Sequence, residues 1–261
     1  MKTARVSENH LTSMSASGSS VSLLYDGDGN RMAMTVNSVT TRYLIDDLNP
    51  TGLPQVMEEV VGGAVERVYT YGLQRISEDQ IVNNAWTGSF YGYDGAGSVR
   101  QLTNSAGVVT DSYEYDAWGN LVNKTGTTPN NYLYRGEQYD PDLSLYYLRA
   151  RYYNPSTGRF LSRDPEAGKP IDPKSLHKYL YAGGDPVNRI DPSGRADATD
   201  YSSILANESW KTQLELRATA YTVRVLLCAN ALILEWTTNG WMDEAGFGVD
   251  AAWDECEEAM L

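Results

Sequence analysis

The chain offers few of the side chains on which catalysis is usually built. Its two histidines, His10 and His177, and its two cysteines, Cys228 and Cys256, cannot assemble a Cys/His metal cluster. No serine sits in a GxSxG turn and no histidine lies near a candidate nucleophile, so a Ser/His hydrolase is unsupported. Gly168-Lys169-Pro170 does not complete a GxxxxGK loop, and the glycine-rich pieces read as hairpin turns rather than nucleotide cradles. Carboxylates remain. Asp243, Glu244, Asp250, Asp254, Glu255, Glu257 and Glu258 could hold a metal or do acid/base work, and a solvated helix face explains them as well. Asp140, Asp164, Asp172, Asp185 and Asp191 each precede a proline, where an aspartate side chain ordinarily caps a turn by bonding to the backbone. No cofactor or metal is implied.

The elements that would position these groups are strands and turns. Leu23-Leu24-Tyr25-Asp26, followed by Gly27-Asp28-Gly29-Asn30, reads as a strand that ends on Tyr and turns on Gly and Asn, which accept the positive φ of tight turns. The unit recurs at Tyr93-Asp94 and Tyr115-Asp116, and Tyr71, Tyr93 and Tyr115 stand 22 residues apart, so the chain carries a short tandem array. Between the units, segments such as Glu66–Tyr71 and Asp111–Tyr115 alternate polar with aromatic or β-branched residues, the period of half-buried strands. Each repeat supplies a hairpin that is stable only when neighbours extend its sheet. Hairpins of an ordinary β-sandwich are the competing reading. From Tyr132 the prolines force turns or edges, and Leu176–Tyr181 is the one plausible strand of that region.

Bulk properties bound the function. A charged fraction of 21% and a hydrophobic fraction of 41% are those of a globular chain. Nineteen Tyr against three Phe means that the aromatic mass comes with hydroxyls, suited to rings with one dry and one wet end. A net charge of -13 excludes nucleic acid as a partner held by a basic surface. Residues 195–261 carry twelve acids and four bases, against twenty-two and seventeen before them, which places a composition break near Gly194. The N-terminus lacks the apolar stretch of a secretory signal. Residues 1–20, rich in Ser and without a period, read as a flexible lead-in.

The region 132–194 holds nine tyrosines and four ordered motifs: Tyr152-Tyr153-Asn154-Pro155-Ser156-Thr157-Gly158-Arg159-Phe160, Ser162-Arg163-Asp164-Pro165, Tyr179-Leu180-Tyr181 with Asp185-Pro186, and Asp191-Pro192-Ser193-Gly194. With the upstream repeats, the stretch from Leu23 to Gly194 resembles the repeat-associated core of the Rhs/YD-repeat family, bacterial shell proteins related to Tc-toxin C components and teneurins. The resemblance implies a mainly β fold. Residues 21–131 would form a curved antiparallel sheet of YD-repeat hairpins, residues 132–194 a Pro/Gly-rich core that plugs one end of a hollow shell, and residues 195–261 a variable toxin segment or its remnant. Three to five repeats cannot enclose a cavity, so the chain looks like the terminal end of such a shell. The resemblance also implies a bacterial origin, synthesis in the cytoplasm, and secretion or display at the cell surface. Its partners would be an upstream YD-repeat shell or secretion machinery, and an immunity protein for the tail.

In that family, paired aspartates of the core act as an aspartyl protease in cis and release the tail. Carried onto this sequence, the catalytic residues are Asp164 and Asp191, with Arg163 orienting a carboxylate. Two carboxylates brought close cannot both ionise, so one keeps a proton as acid while the other activates water. The sequence departs from the cleaving pattern at two places. Gly194 is followed by Arg195 rather than Leu, and Asp164-Pro165 is followed by Glu166-Ala167-Gly168 rather than a small residue, Gly and Leu. Turn capping by both aspartates therefore stays open beside proteolysis near Gly194.

In the tail, Lys211 to Trp236 reads as a helix with Leu216, Ala220, Val223, Leu227, Ala231 and Leu234 on one face, and Val249 to Met260 as a second. Arg224 near the centre of the first points away from membrane insertion and toward a buried or partner-binding helix. Cys228 and Cys256 leave two readings, a disulfide or, preferred, two buried thiols.

Overall fold

The computed structural model describes residues 3–195 apart from positions 8, 17, 50, 166, 167, 169, 170 and 172. The two tail helices, the cysteine pair and the membrane question at Arg224 all lie outside these residues.

Twelve strands follow one another in a single antiparallel meander. They are β1 (Thr3–Ser7), β2 (His10–Ala16), β3 (Ser19–Tyr25), β4 (Arg31–Val36), β5 (Val39–Asp46), β6 (Gln55–Val61), β7 (Ala64–Tyr71), β8 (Arg75–Val82), β9 (Ala85–Tyr93), β10 (Val99–Thr103), β11 (Val109–Tyr115) and β12 (Leu121–Thr125). The expectation of a flexible lead-in is corrected here. The segment is drawn into the sheet as β1 and β2, β2 pairing with β3 and β1 with β2. Six serines in the first twenty residues hid these strands.

Two kinds of turn connect most of the strands. Two-residue loops at Asn37-Ser38, Gly62-Gly63 and Asn83-Asn84 have both residues at positive φ, the geometry that matches the twist of the flanking strands. The YD turns are longer. Asp26, Asp94 and Asp116 each accept, on one carboxylate oxygen, the N–H groups two and four residues ahead, at 2.8–3.0 Å. Asn104 does the same at 3.0 and 3.1 Å. The tyrosine before each aspartate ties the turn to the rest of the sheet. The hydroxyls of Tyr25, Tyr71, Tyr93 and Tyr115 donate to the carbonyls of Leu11, Val56, Arg75 and Val99, at 2.7–2.9 Å. Phenylalanine would fill the same space and leave four carbonyls short of a donor.

A second sheet forms the core: β13 (Gln138–Asp140), β14 (Leu145–Leu148), β15 (Arg151–Asn154) and β16 (Arg159–Phe160). These strands are only two to four residues long, which is why the sequence pattern did not disclose them. Leu176–Tyr181 is not a strand: a 3-10 turn at Pro173–Leu176 leads to a single bridge between Leu180 and Arg159.

Both ends of the meander pack on this one small core. Leu11, Met14, Val21, Leu23, Met34 and Tyr43 meet Leu143, Leu145 and Tyr152, while Val99, Leu102 and Tyr113 meet Tyr134, Tyr146, Tyr153 and Tyr181. Twelve strands laid flat would span roughly 50 Å at their usual spacing of about 4.8 Å, so the sheet must curl around the core. Buried charge sews the layers together. Arg31 on β4 pairs with Asp140 on β13, with Tyr152 donating to the same carboxylate at 2.9 Å and the rings of Tyr43 and Tyr147 flanking the guanidinium. The last YD turn is gripped directly: Tyr134, Tyr153 and Tyr146 donate to the consecutive carbonyls of Ala117, Trp118 and Gly119, at 2.7–2.9 Å.

Candidate functional site

The DPSG segment ends the core against the turn between β14 and β15. Three successive residues of that turn hold three successive carbonyls. Arg149 donates to Pro192 at 2.5 Å, the Ala150 N–H donates to Ser193 at 3.3 Å, and Arg151 donates through Nε to Gly194. Gly194 sits at φ +67°, and a Cβ there would stand 2.2 Å from the Leu148 carbonyl oxygen, so glycine is required by both backbone and space.

Arg151 is the centre of this arrangement. Its side chain is 1% exposed, and the guanidinium faces Asp164 through Nη1 at 2.9 Å and Asp191 through Nη2 at 3.4 Å. Nη1 also donates to the Lys178 carbonyl at 3.4 Å. Burial pushes the Arg151 pKa below its ordinary value, against the opposing pull of Asp191 and Asp164. Asp191 is almost fully enclosed, whereas the side chain of Asp164 keeps 18% of its surface and reaches solvent. The Arg195 N–H donates to Asp191 Oδ1 at 3.1 Å and to Ser193 Oγ at 3.2 Å. The Gly194–Arg195 peptide thus has a guanidinium on its oxygen and a carboxylate on its nitrogen. Such groups polarise a carbonyl and move protons at the leaving amine.

The structure brings Asp164 and Asp191 onto one cation, as a carboxylate pair requires. It does not bring Arg163. That side chain is exposed and makes no hydrogen bond or ion pair with either carboxylate among the described residues. Neighbours in extended chain point to opposite sides, so the residue beside Asp164 in sequence is badly placed to serve it. Arg151, at the start of β15 and thirteen positions before Asp164, takes that place. Its only sequence signal is an arginine opening the Arg151-Tyr152-Tyr153 strand, in a region already rich in arginine. Asp191 also does what a turn-capping aspartate does, since it accepts the N–H four residues ahead. Among the described residues no group of three His, Cys, Asp or Glu could hold a metal, and no helix is long and apolar enough to cross a membrane.

Comparison with known proteins gives a consistent picture. The family model described as the Teneurin YD-shell matches residues 81–187. The tRNA3(Ser)-specific nuclease WapA of Bacillus spizizenii is 35% identical over 195 residues, covering 72% of this chain and 8% of the nuclease. The tRNA(Glu)-specific nuclease WapA of Bacillus subtilis subsp. natto is 31% identical over 248 residues, covering 89% of this chain and 10% of the nuclease, so that alignment continues beyond Gly194. Among solved structures, the crystal structure of TcdB2-TccC3 superposes with a TM-score of 0.57 at 22% identity, over 74% of this chain and 10% of that one. The chain therefore spans about a tenth of the length of these relatives.

Proposed function

Because this chain belongs to the Rhs/YD-repeat family, we propose that it is the C-terminal part of a shell that encloses a variable toxin segment and delivers it in bacterial competition, with residues 195–261 as the cargo. The reading is carried by the clamp at Pro192–Gly194, where the core holds the chain at the point at which composition changes. An upstream YD-repeat shell or secretion machinery completes the particle, an immunity protein guards the producing cell, and the particle is made in the cytoplasm and exported. The alignment that continues past Gly194 makes tRNA the first substrate to test for the tail, although a tail with eight net negative charges would not bind it through a basic surface.

A second reading is favoured by the geometry around Arg151: the core hydrolyses its own Gly194–Arg195 bond. Asp164, open to solvent, takes a proton from water as the water oxygen attacks the Gly194 carbonyl carbon. Arg151 holds the carbonyl oxygen as it gains charge. Asp191, in its protonated form, gives its proton to the Arg195 nitrogen as the C–N bond breaks. The products are a Gly194 carboxylate and a free Arg195 amine.

The intact mass of the purified full-length protein, beside Asp191→Asn, tests this reading. Fragments of 194 and 67 residues in the wild type that vanish in the variant are expected from hydrolysis. One uncut mass in both would leave Asp191 a turn cap and the tail tethered. Growth of cells expressing residues 195–261 then tests the cargo itself: unimpaired growth would sink the delivery reading.

A further inference from the structure

A cavity of about 70 Å³ lies between the inner face of the large sheet and the core, with the exposed Leu73 and Gln74 of the β7–β8 turn at its mouth. That volume suits one small oxyanion or about two waters. Its wall is unusually cationic. Arg75, Arg135 and Arg149 all line it, against the single carboxylate of Glu137, and Glu137 is paired with Arg149 at 2.9 Å.

The other two guanidiniums have no carboxylate within ion-pair distance among the described residues. Arg75 is 8% exposed. It donates to the Tyr71 hydroxyl at 3.1 and 3.0 Å and to the Gly136 carbonyl at 3.3 Å, and lies against the ring of Tyr132. Arg135 is 7% exposed and donates only to backbone carbonyls, those of Ala96, Pro186, Val187 and Arg189, while its Nε finds no acceptor. Its backbone is held at φ +57°, a conformation that a non-glycine residue adopts at a cost. Buried cations ordinarily sit beside an anion, because carbonyl dipoles and aromatic faces offset only part of the lost hydration. Arg135 turns its guanidinium toward the 186–189 segment, whereas Arg75 is held among Tyr71, Tyr132 and Gly136, which line the cavity themselves; with Arg149 beside it, Arg75 makes a receptor for an anion with several oxygens, which guanidinium forks bind in pairs.

We propose that this cavity is a binding site for a small oxyanion of the phosphate or sulfate class. It meets the Pro192–Gly194 clamp only through Arg149, and neither reading of the tail depends on anion binding.

The test uses inorganic phosphate as the probe and the full-length protein. ³¹P line broadening of phosphate is titrated at constant ionic strength set with chloride, in the wild type, in Arg75→Gln and in Gln74→Glu. The last variant places a carboxylate at the exposed mouth without touching a buried group, so it remains informative if Arg75→Gln does not fold. Saturable broadening in the wild type that weakens at least tenfold in either folded variant is the expected result. Absence of saturation, or unchanged affinity in every folded variant, overturns the proposal.

Discussion

At the scale of the residue, the inner surface of the sheet is where burial changes chemistry. Glu78 on β8 is fully enclosed, with the Tyr91 hydroxyl donating to it at 2.9 Å and Arg67 no nearer than 3.9 Å. Burial pushes its carboxyl up from an ordinary 4.5 to about 7, against the opposing pull of Arg67 and the Tyr91 hydrogen bond. A carboxyl whose folded pKa exceeds its unfolded one stabilises the fold fully at acid pH and loses that contribution as pH rises toward 7. Glu78→Gln mimics the neutral form at every pH. Relative to wild type it is therefore expected to gain stability between pH 4.5 and 8, by up to about 3 kcal/mol. Urea unfolding of both proteins at the two pH values checks this, and a pH-independent difference would refute it. Arg151 teaches a related lesson about reading residues. Asp164 and Asp191 were legible because a motif marks each, whereas the arginine that joins them was not. Its choice depends on which side of β15 faces the DPSG segment, and side-chain direction follows the pleat rather than sequence adjacency.

At the scale of the element, the tandem period fixed the hairpins, and the spacing of Tyr71, Tyr93 and Tyr115 marked strand ends that the structure confirms. The same reasoning missed β13 to β16, since strands of two to four residues carry too few alternations to reveal a period. It missed β1 and β2 because serine-rich composition masked a pairing decided by the neighbouring strand. The contact between the last YD turn and the core could not be read from either segment alone. Tyr134, Tyr146 and Tyr153 reach three adjacent carbonyls, so their contributions should couple. Each single Tyr→Phe change should cost about 1–3 kcal/mol by leaving a carbonyl unsatisfied. The Tyr146→Phe/Tyr153→Phe pair should depart from additivity by at least about 0.5 kcal/mol. Strict additivity in a double-mutant cycle would mean that the turn docks without their concerted hold.

At the scale of the whole molecule, sheet and core share one interior, and neither buries its apolar side without the other. The described residues should accordingly unfold in one transition. Far-UV circular dichroism, which follows the large sheet, and fluorescence of Trp118, seated by Gly158 against the core, should give the same midpoint in urea. A lower midpoint by one probe would show that the meander peels away first. The clamp at the end of the core has a mechanical side as well. Its three rungs run in step, Arg149 to Pro192, Ala150 to Ser193 and Arg151 to Gly194, with the buried guanidinium nearest the outgoing chain. Tension on the tail from beyond Arg195 reaches the Arg151 rung before the other two. With the backbone intact, that pull would be borne by the whole core through Asp164 and Asp191. With the Gly194–Arg195 bond cut, the direct link left at that point among the described residues is the hydrogen bonding of the Arg195 N–H to Asp191 and Ser193, so the clamp would act as a fuse that lets the tail part from a core that keeps its shape.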